Sequence, residues 1–150
     1  MKVSRVFAFD SSHVLPNYDG PCGRLHGHTY KLRVTIEGHV NAKTQMVMDY
    51  TKLKKIVQPW VDLLDHTHLN LYILYPTAEN IAAWFGQKLL LEIDHNEYFL
   101  TVVVSETPKT QSTWKATDEC PEGSQGTNTS EFLDLQERLK NLWVPSAEKL

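Results

Sequence analysis

The sequence has few cysteines, no long apolar run and no excess of charge of one sign. Its two cysteines, Cys22 and Cys120, are too few for a disulfide framework. No apolar run reaches the roughly 20 residues that span a bilayer, and residues 1–10 lack the apolar core and cleavage site of a signal peptide. Fifteen basic residues against 18 acidic ones give no attraction for nucleic acids or membrane surfaces. We therefore expect a cytoplasmic protein that binds neither nucleic acid nor membranes.

What the sequence does contain is an ordinary globular composition and a cluster of histidines. Hydrophobic residues make up 41% and charged residues 22% of the 150 residues, as in a typical folded domain. That length suits one domain with a tail. Most of the seven histidines lie between residues 13 and 68, and this clustering is the feature that most needs a chemical explanation.

Hydrophobic periodicity predicts an α+β domain with four strands and two helices. Asp49 and Thr77 are placed to cap the two helices, and Pro59 is expected near the end of the first helix or at a kink in it. The order β-β-α-α-β-β predicts a four-stranded antiparallel sheet with both helices on one face. The predicted strands cover residues 2–10, 30–37, 98–105 and 111–114.

The composition changes after residue 114. We expect a folded domain over residues 1–114 and a polar linker over residues 115–130, which contain few apolar groups. Residues 131–150 form a C-terminal tail, whose apolar spacing predicts a short helix over residues 131–143.

The clearest chemical motif is His26-Gly27-His28, directly before a strong strand. Residues two apart in an extended chain point to the same side, so both imidazoles can reach one metal ion. His13 follows the first strand and can reach the same point if the two strands pair. Three histidines leave one position of a tetrahedral Zn²⁺ open, as in catalytic zinc sites. The alternative is a pair of solvated histidines at a strand end.

Cys22 lies four residues before His26, in a loop rich in glycine and proline. Three interpretations of this cysteine stay open. Its thiol can act as a base or nucleophile beside the metal. It can be a fourth ligand of a structural zinc, or it can be an idle thiol.

Asp65 and His66 lie in the connector between the two predicted helices. An aspartate can orient a histidine for proton transfer. Because adjacent side chains rarely hydrogen-bond to each other, the alternative is a helix-end cap beside a surface histidine. His68, two residues further on, is a weaker candidate that ordinary turn packing also explains.

Glu106 ends the apolar strand over residues 98–105. Its carboxylate could hold a ring with adjacent N–H donors through two parallel hydrogen bonds. The alternative is a charge that simply leaves the sheet. Thr77 has the ordinary role of a helix N-cap whatever else it contacts.

Six ordered motifs resemble the 6-pyruvoyl-tetrahydropterin synthase superfamily. The resemblance covers about residues 2–114. Within the superfamily, the chain is most similar to the 6-carboxytetrahydropterin synthase branch, because three residues separate Cys22 from His26. The tail lies outside the family pattern. The motifs are FDSSHVL, CGRLHGHTYKLRVTIEG, MVMDYTKLK, LLDHTHLN, PTAENIAAWF and VVVSETP.

The resemblance implies a tunnelling fold, or T-fold, in which subunit sheets join into a barrel. The homo-oligomer it implies is a trimer or two stacked trimers, with active sites between subunits. The resemblance implies that His13, His26 and His28 bind zinc. It implies a catalytic role for Cys22, together with Asp65 and His66 from a neighbouring subunit. It also implies that Glu106 and Thr77 bind the pterin.

The resemblance also implies a reaction. Members of this branch convert 7,8-dihydroneopterin triphosphate to 6-carboxy-5,6,7,8-tetrahydropterin and release acetaldehyde and triphosphate, a step that leads to queuosine and other 7-deazapurines. One alternative is a 6-pyruvoyl-tetrahydropterin synthase, which eliminates triphosphate and retains the side-chain carbons. Another is a zinc-stabilised pterin-binding relative without turnover.

Overall fold

The computed structural model describes residues 1–124. Its elements are five strands, two α-helices and three short 3-10 turns. The turns cover Pro21–Gly23, Leu69–Leu71 and Glu122–Ser124. The helices and strands, in chain order, are β1 (Lys2–His13), β2 (His26–Glu37), α1 (Tyr50–Leu64), β3 (Thr67–His68), α2 (Ala78–Leu90), β4 (Phe99–Thr107) and β5 (Thr110–Lys115).

The five strands form one sheet in the order β3-β1-β2-β4-β5. The predicted sheet of four antiparallel strands is present as β1, β2, β4 and β5. The prediction of four strands is wrong by one, because β3 adds a parallel edge strand beside β1. Two residues are too short to produce an alternating pattern, so periodicity could not reveal this strand.

Both helices pack on one face of the sheet, as predicted. Alternate residues of β1, β2 and β4 point to this face, where they form a single core with the apolar sides of the helices. The opposite face carries mainly polar residues. Among the largest fully buried side chains are Tyr30, Phe9, Phe85, Leu32, Ile36, Leu53, Ile81 and Leu100.

The helix starts follow the predicted caps. The Asp49 carboxylate accepts a hydrogen bond from the N–H of Thr51 at 2.6 Å, and the Thr77 hydroxyl accepts one from the N–H of Asn80. Pro59 lies inside α1 on its exposed side, where water can satisfy the carbonyl that its missing N–H leaves free. The helix therefore continues to Leu64.

The chain after β5 stays close to the domain as far as it is described. Ser124 is buried, and its hydroxyl lies 3.1 Å from the Nε2 of Gln87 on α2. The predicted boundary at residue 114 stays a prediction, and the predicted helix over residues 131–143 lies outside the described residues. Neither helix in residues 1–124 is long and apolar enough to cross a membrane.

Candidate active site

Strand pairing brings three histidines together at one end of the sheet. His13 is the last residue of β1, and it lies opposite His26, the first residue of β2. His28 is two residues further along β2 and therefore points to the same face. One ring nitrogen from each histidine lies within 4.8 Å of the others. This is the convergence expected from the His-Gly-His spacing.

Hydrogen bonds fix the tautomers of two of these histidines. The Nδ1 of His13 lies 2.7 Å from the carbonyl oxygen of Pro76, and the Nδ1 of His26 lies 2.7 Å from that of Arg24. A carbonyl only accepts, so each Nδ1 carries the proton and donates it. In a neutral ring the Nε2 is then left with a free lone pair. A backbone carbonyl that accepts this proton orients the ring of a metal-binding histidine in the same way.

The two free Nε2 atoms of His13 and His26 lie 3.0 Å apart. Two lone pairs that face each other at this distance repel, and a shared cation removes the repulsion. Ligand nitrogens of a tetrahedral zinc are about 3.3 Å apart when each zinc–nitrogen bond has its usual length. The three histidines therefore fit a divalent metal with nitrogen ligands, and Zn²⁺ is such an ion.

Burial keeps His13 neutral. Its side chain is 1% exposed, and desolvation lowers its pKa from 6.5 to about 4, while the hydrogen bond to Pro76 acts in the opposite direction. At neutral pH the imidazole is therefore in the uncharged form that binds a metal.

Cys22 lies in the 3-10 turn Pro21–Gly23 and is half-buried. Its carbonyl accepts a hydrogen bond from the N–H of Leu15 at 3.0 Å, which ties the loop of residues 14–25 back to the end of β1. The loop therefore has a fixed connection to the strand that ends at His13.

Tyr30, on β2, has a fully buried side chain, and its hydroxyl has no hydrogen-bond partner among the described residues. Burial raises the Tyr30 pKa, and the charges of Glu106 and Cys22 raise it further. The carboxylate and the thiol are therefore both close enough to influence this phenol.

Glu106 follows Ser105, which pairs with Lys31 on β2. Glu106, Lys31 and His28 line one cavity of about 420 Å³ beside the strand ends. The carboxylate predicted to anchor a ring thus shares a cavity with one of the candidate metal ligands.

Asp65 and His66 follow α1 and attach to the backbone of Asp10. The Asp65 carboxylate accepts a hydrogen bond from the N–H of Asp10 at 2.8 Å, and the N–H of His66 donates to the carbonyl of Asp10 at 2.6 Å. The Asp10 N–H lowers the pKa of Asp65, and the contact with His66 lowers it further. Both residues are therefore held against β1.

The side chains of these neighbours contact each other, which their adjacency did not lead us to expect. The Nδ1 of His66 lies 3.0 Å from a carboxylate oxygen of Asp65. His66 has a φ of 56°, in the left-handed region, and this turn of the backbone brings the imidazole beside the carboxylate. A strained backbone at a histidine is compatible with a functional constraint.

The pair and the three histidines form two separate groups of possible ligands. The His66 side chain is 77% exposed, and it lines a cavity of about 540 Å³ together with Asp10, Thr29 and His28. In one chain, His28 therefore borders both the cavity of Glu106 and the cavity of His66.

Thr77 lies elsewhere. It caps α2 and is not among the residues that line these two cavities. It follows Pro76, the residue whose carbonyl holds His13. His68 lies on β3, with its Nδ1 3.1 Å from the Ser12 hydroxyl, and burial lowers its pKa.

Several residues at the site had no signal in the sequence. In the sequence, Asp10 and Lys31 are only polar positions of predicted strands, and Tyr30 is one of the residues on the apolar face of its strand. Asn70 read as part of a turn. Only the pairing register, which places Asp10 opposite Thr29 and Lys31 opposite Ser105, brings the first two to the cavities.

Comparison with known proteins agrees with this geometry. The profile of the family described as 6-pyruvoyl tetrahydropterin synthase matches residues 2–116. A 6-carboxy-5,6,7,8-tetrahydropterin synthase of Synechocystis is 40% identical over 94 residues, which cover 58% of this chain and 73% of the relative. One of the same name from Haemophilus influenzae is 46% identical over 72 residues, covering 45% of this chain and only 51% of the relative.

A solved structure has the same fold. The Caenorhabditis elegans 6-pyruvoyl tetrahydropterin synthase superposes with a TM-score of 0.70 at 29% identity, over 78% of this chain and 96% of that one. The fold and the three-histidine site define a T-fold protein with a candidate metal centre at the end of its sheet. The chain belongs to the 6-pyruvoyl tetrahydropterin synthase family, and its relatives include proteins named for the carboxy product.

Proposed function

We propose that this protein is a zinc-dependent 6-carboxy-5,6,7,8-tetrahydropterin synthase that acts on 7,8-dihydroneopterin triphosphate. One water molecule would be consumed, and acetaldehyde and triphosphate would be the other products. The carboxylated pterin would enter the synthesis of queuosine and other 7-deazapurines. The observation that carries the proposal is the shared cavity of Glu106 and His28, because it sets a carboxylate for ring recognition beside a metal ligand. The names of two relatives support the choice of product.

Binding of the substrate depends on residues at both sides of this cavity. The carboxylate of Glu106 would accept two parallel hydrogen bonds from the N–H groups of the pterin ring. Its position would direct the side chain of the substrate toward the three histidines. Lys31 lines the same cavity with an exposed ammonium group, which suits it to pair with the triphosphate. Arg24, close to Cys22 in sequence, is a second candidate for this role.

His13, His26 and His28 would hold the zinc. When bound, zinc supplies a Lewis acid that makes the two side-chain hydroxyls of the substrate more acidic. The Cys22 Sγ would take and return the proton at the side-chain carbon next to the ring. His66, oriented by Asp65, would exchange the proton at the neighbouring oxygen or carbon during cleavage of the carbon–carbon bond.

The exposure of the Asp65–His66 pair supports a homo-oligomer. His66 is exposed and belongs to a ligand group distinct from that of the three histidines. We propose that Asp65 and His66 of one subunit complete the site of its neighbour in a trimer or a hexamer of two trimers. A small domain gains a deep cleft in this way, because the partner supplies the missing wall.

Product analysis tests the proposed reaction. The zinc-loaded protein is incubated with 7,8-dihydroneopterin triphosphate, and the pterin product and acetaldehyde are identified by mass. We expect 6-carboxytetrahydropterin and acetaldehyde, whereas a pterin that keeps its side-chain carbons would identify the alternative, a 6-pyruvoyl-tetrahydropterin synthase. The C. elegans structure keeps this alternative open.

Cys22→Ala distinguishes an enzyme from a zinc-stabilised binding protein without turnover. Cys120→Ala is the matched control, because Cys120 is exposed and lies outside the candidate site. We expect Cys22→Ala to lose turnover about 100-fold or more, as when a proton-transfer group is removed. Equal turnover of the wild type and Cys22→Ala would contradict the assignment of Cys22.

A further inference from the structure

The side chain of Asn70 bonds to both backbone polar groups of Val14. Its Oδ1 accepts a hydrogen bond from the Val14 N–H at 2.9 Å, and its Nδ2 donates one to the Val14 carbonyl at 2.8 Å. The side-chain amide of Asn70 thus makes the two hydrogen bonds that a neighbouring strand would otherwise make to the backbone of Val14. Asn70 is half-buried, in the 3-10 turn Leu69–Leu71 that follows β3.

Val14 occupies a sensitive place in the chain. It comes directly after His13, where the pairing of β1 with β2 ends. The parallel pairs with β3 support only Ser11 and Ser12. Within residues 1–124, the backbone of Val14 is therefore held by Asn70, and the next residue, Leu15, is held by the carbonyl of Cys22.

The consequence for the metal site is geometric. His13 binds the Pro76 carbonyl through Nδ1 and points its Nε2 toward His26. This orientation of the His13 ring depends on a fixed backbone at the end of β1, because among the described residues the strand has no paired neighbour beyond His13. Groups that orient metal ligands without touching the metal typically change metal affinity by about 10- to 100-fold.

We propose that Asn70 is a positioning residue of the metal site: it fixes Val14, and through Val14 it holds His13 in the orientation that binds the ion. The inference rests on the proposed zinc site formed by the three histidines. It extends that site to a side chain whose hydrogen bonds go to Val14 and which does not line the two cavities.

Asn41 provides a matched control. Its side-chain oxygen also accepts two backbone hydrogen bonds, from the N–H groups of Lys43 and Thr44 at 2.9 and 3.1 Å. It lies in an exposed turn between β2 and α1. Loss of Asn41 therefore removes a similar amount of side-chain to backbone bonding without touching the strand end of the histidines.

The first experiment measures zinc affinity by competition with a chromophoric chelator on the full chain. We expect Asn70→Ala to lower the affinity about tenfold and Asn41→Ala to leave it unchanged. The absorption spectrum of the cobalt-substituted protein reports ligand geometry and should change in Asn70→Ala only. Equal affinity of Asn70→Ala and wild type, or an equal loss in Asn41→Ala, would overturn the inference.

A second experiment needs no variant and so does not depend on folding of Asn70→Ala. Coupling between two sites is reciprocal. If an intact Asn70–Val14 contact strengthens zinc binding about tenfold, saturating zinc must slow hydrogen exchange of the Val14 amide by about the same factor. The amides of Lys43 and Thr44, which Asn41 holds, are the internal control.

The outcomes separate this inference from the proposed function. Zinc binding by the wild type with unchanged exchange at Val14 would overturn the role of Asn70 and leave the metal site standing. A wild-type chain that binds no zinc would overturn both.

Discussion

The three histidines and the Asp65–His66 pair are held in different ways, although both lie at the same end of the sheet. His13 is 1% exposed, and its ring is bonded to a backbone carbonyl. His66 has a side chain that is 77% exposed, and its ring contacts the carboxylate of its chain neighbour. The first environment favours a neutral metal ligand with one defined tautomer, whereas the second favours a group that exchanges protons with a ligand or solvent.

The difference arises from the backbone. The ladder of β1 and β2 places His13 opposite His26. Ordinary strand geometry therefore forms the metal group, which consists of His13, His26 and His28. His66 instead needs a left-handed φ of 56° and a carboxylate to orient it. Regular structure thus builds one group, and a turn with an unusual backbone builds the other.

The largest expected effect comes from removing a histidine of the metal group. His13→Ala should lower zinc affinity by more than about 100-fold, because it deletes a ligand rather than a supporting group. His39→Ala, at an exposed histidine between β2 and α1, should leave the affinity unchanged. Chelator competition measures both values. Zinc affinity that survives in His13→Ala would remove His13 from the site.

Changes in the pair should affect turnover and leave the metal in place. Asp65→Asn keeps the shape of the side chain but removes the charge that orients His66. We expect kcat to fall about 100-fold or more, with zinc stoichiometry unchanged. Asp62→Asn, at an exposed aspartate near the end of α1, is the matched control. A loss of zinc in Asp65→Asn would mean that the two groups are not independent.

Acid should destabilise the metal-free protein through His13. Its pKa is 6.5 when unfolded and about 4 when folded, so between these values the unfolded state binds more protons. The contribution of neutral His13 to the free energy of unfolding is complete above pH 6.5. It is lost as the pH falls toward 4, and the loss is at most about 3 kcal/mol. Urea unfolding at several pH values measures this slope, and His13→Gln should flatten it. An unchanged slope in His13→Gln would contradict the assignment of this dependence to His13.

The weakest change that we predict concerns Lys31, in the cavity that Glu106 and His28 share. Lys31→Ala should raise the KM for the triphosphate substrate several-fold and leave kcat nearly unchanged. This corresponds to the loss of about 1 kcal/mol of binding free energy from one partly solvated ion pair. Lys43→Ala, in an exposed turn, is the control. An unchanged KM in Lys31→Ala would exclude Lys31 from triphosphate binding.

Much of the fold followed from local sequence patterns. Alternation predicts β1 and β2, β-branched residues predict β4, and a short turn predicts β5. Side-chain oxygens at Asp49 and Thr77 predict both helix starts. The convergence of the histidines followed from period two in an extended chain. The strands, the helix starts and the His26–His28 pair depend on residues close together in sequence, which is why the sequence was sufficient for them. His13 joins this pair only through the pairing of β1 with β2.

The missing parts depend on contacts between distant segments. The strand β3 is defined by its pairing with Ser11 and Ser12 and has no pattern of its own. The hydrogen bonds between the Asn70 side chain and the Val14 backbone join residues 56 positions apart. The contact of Asp65 with His66 occurs where the backbone of His66 has a positive φ, which is uncommon outside glycine. None of these could be found from propensity or spacing.

If each active site combines the three histidines of one subunit with the Asp65–His66 pair of another, subunits with different defects should restore activity when they are mixed. His13→Ala and His66→Ala are each expected to be inactive. If the two variants are unfolded together, mixed at equal amounts and refolded with zinc, about a quarter of the intersubunit sites should combine two intact groups. We predict recovery of about that fraction of wild-type turnover. A mixture that exchanges subunits and stays inactive would contradict the claim.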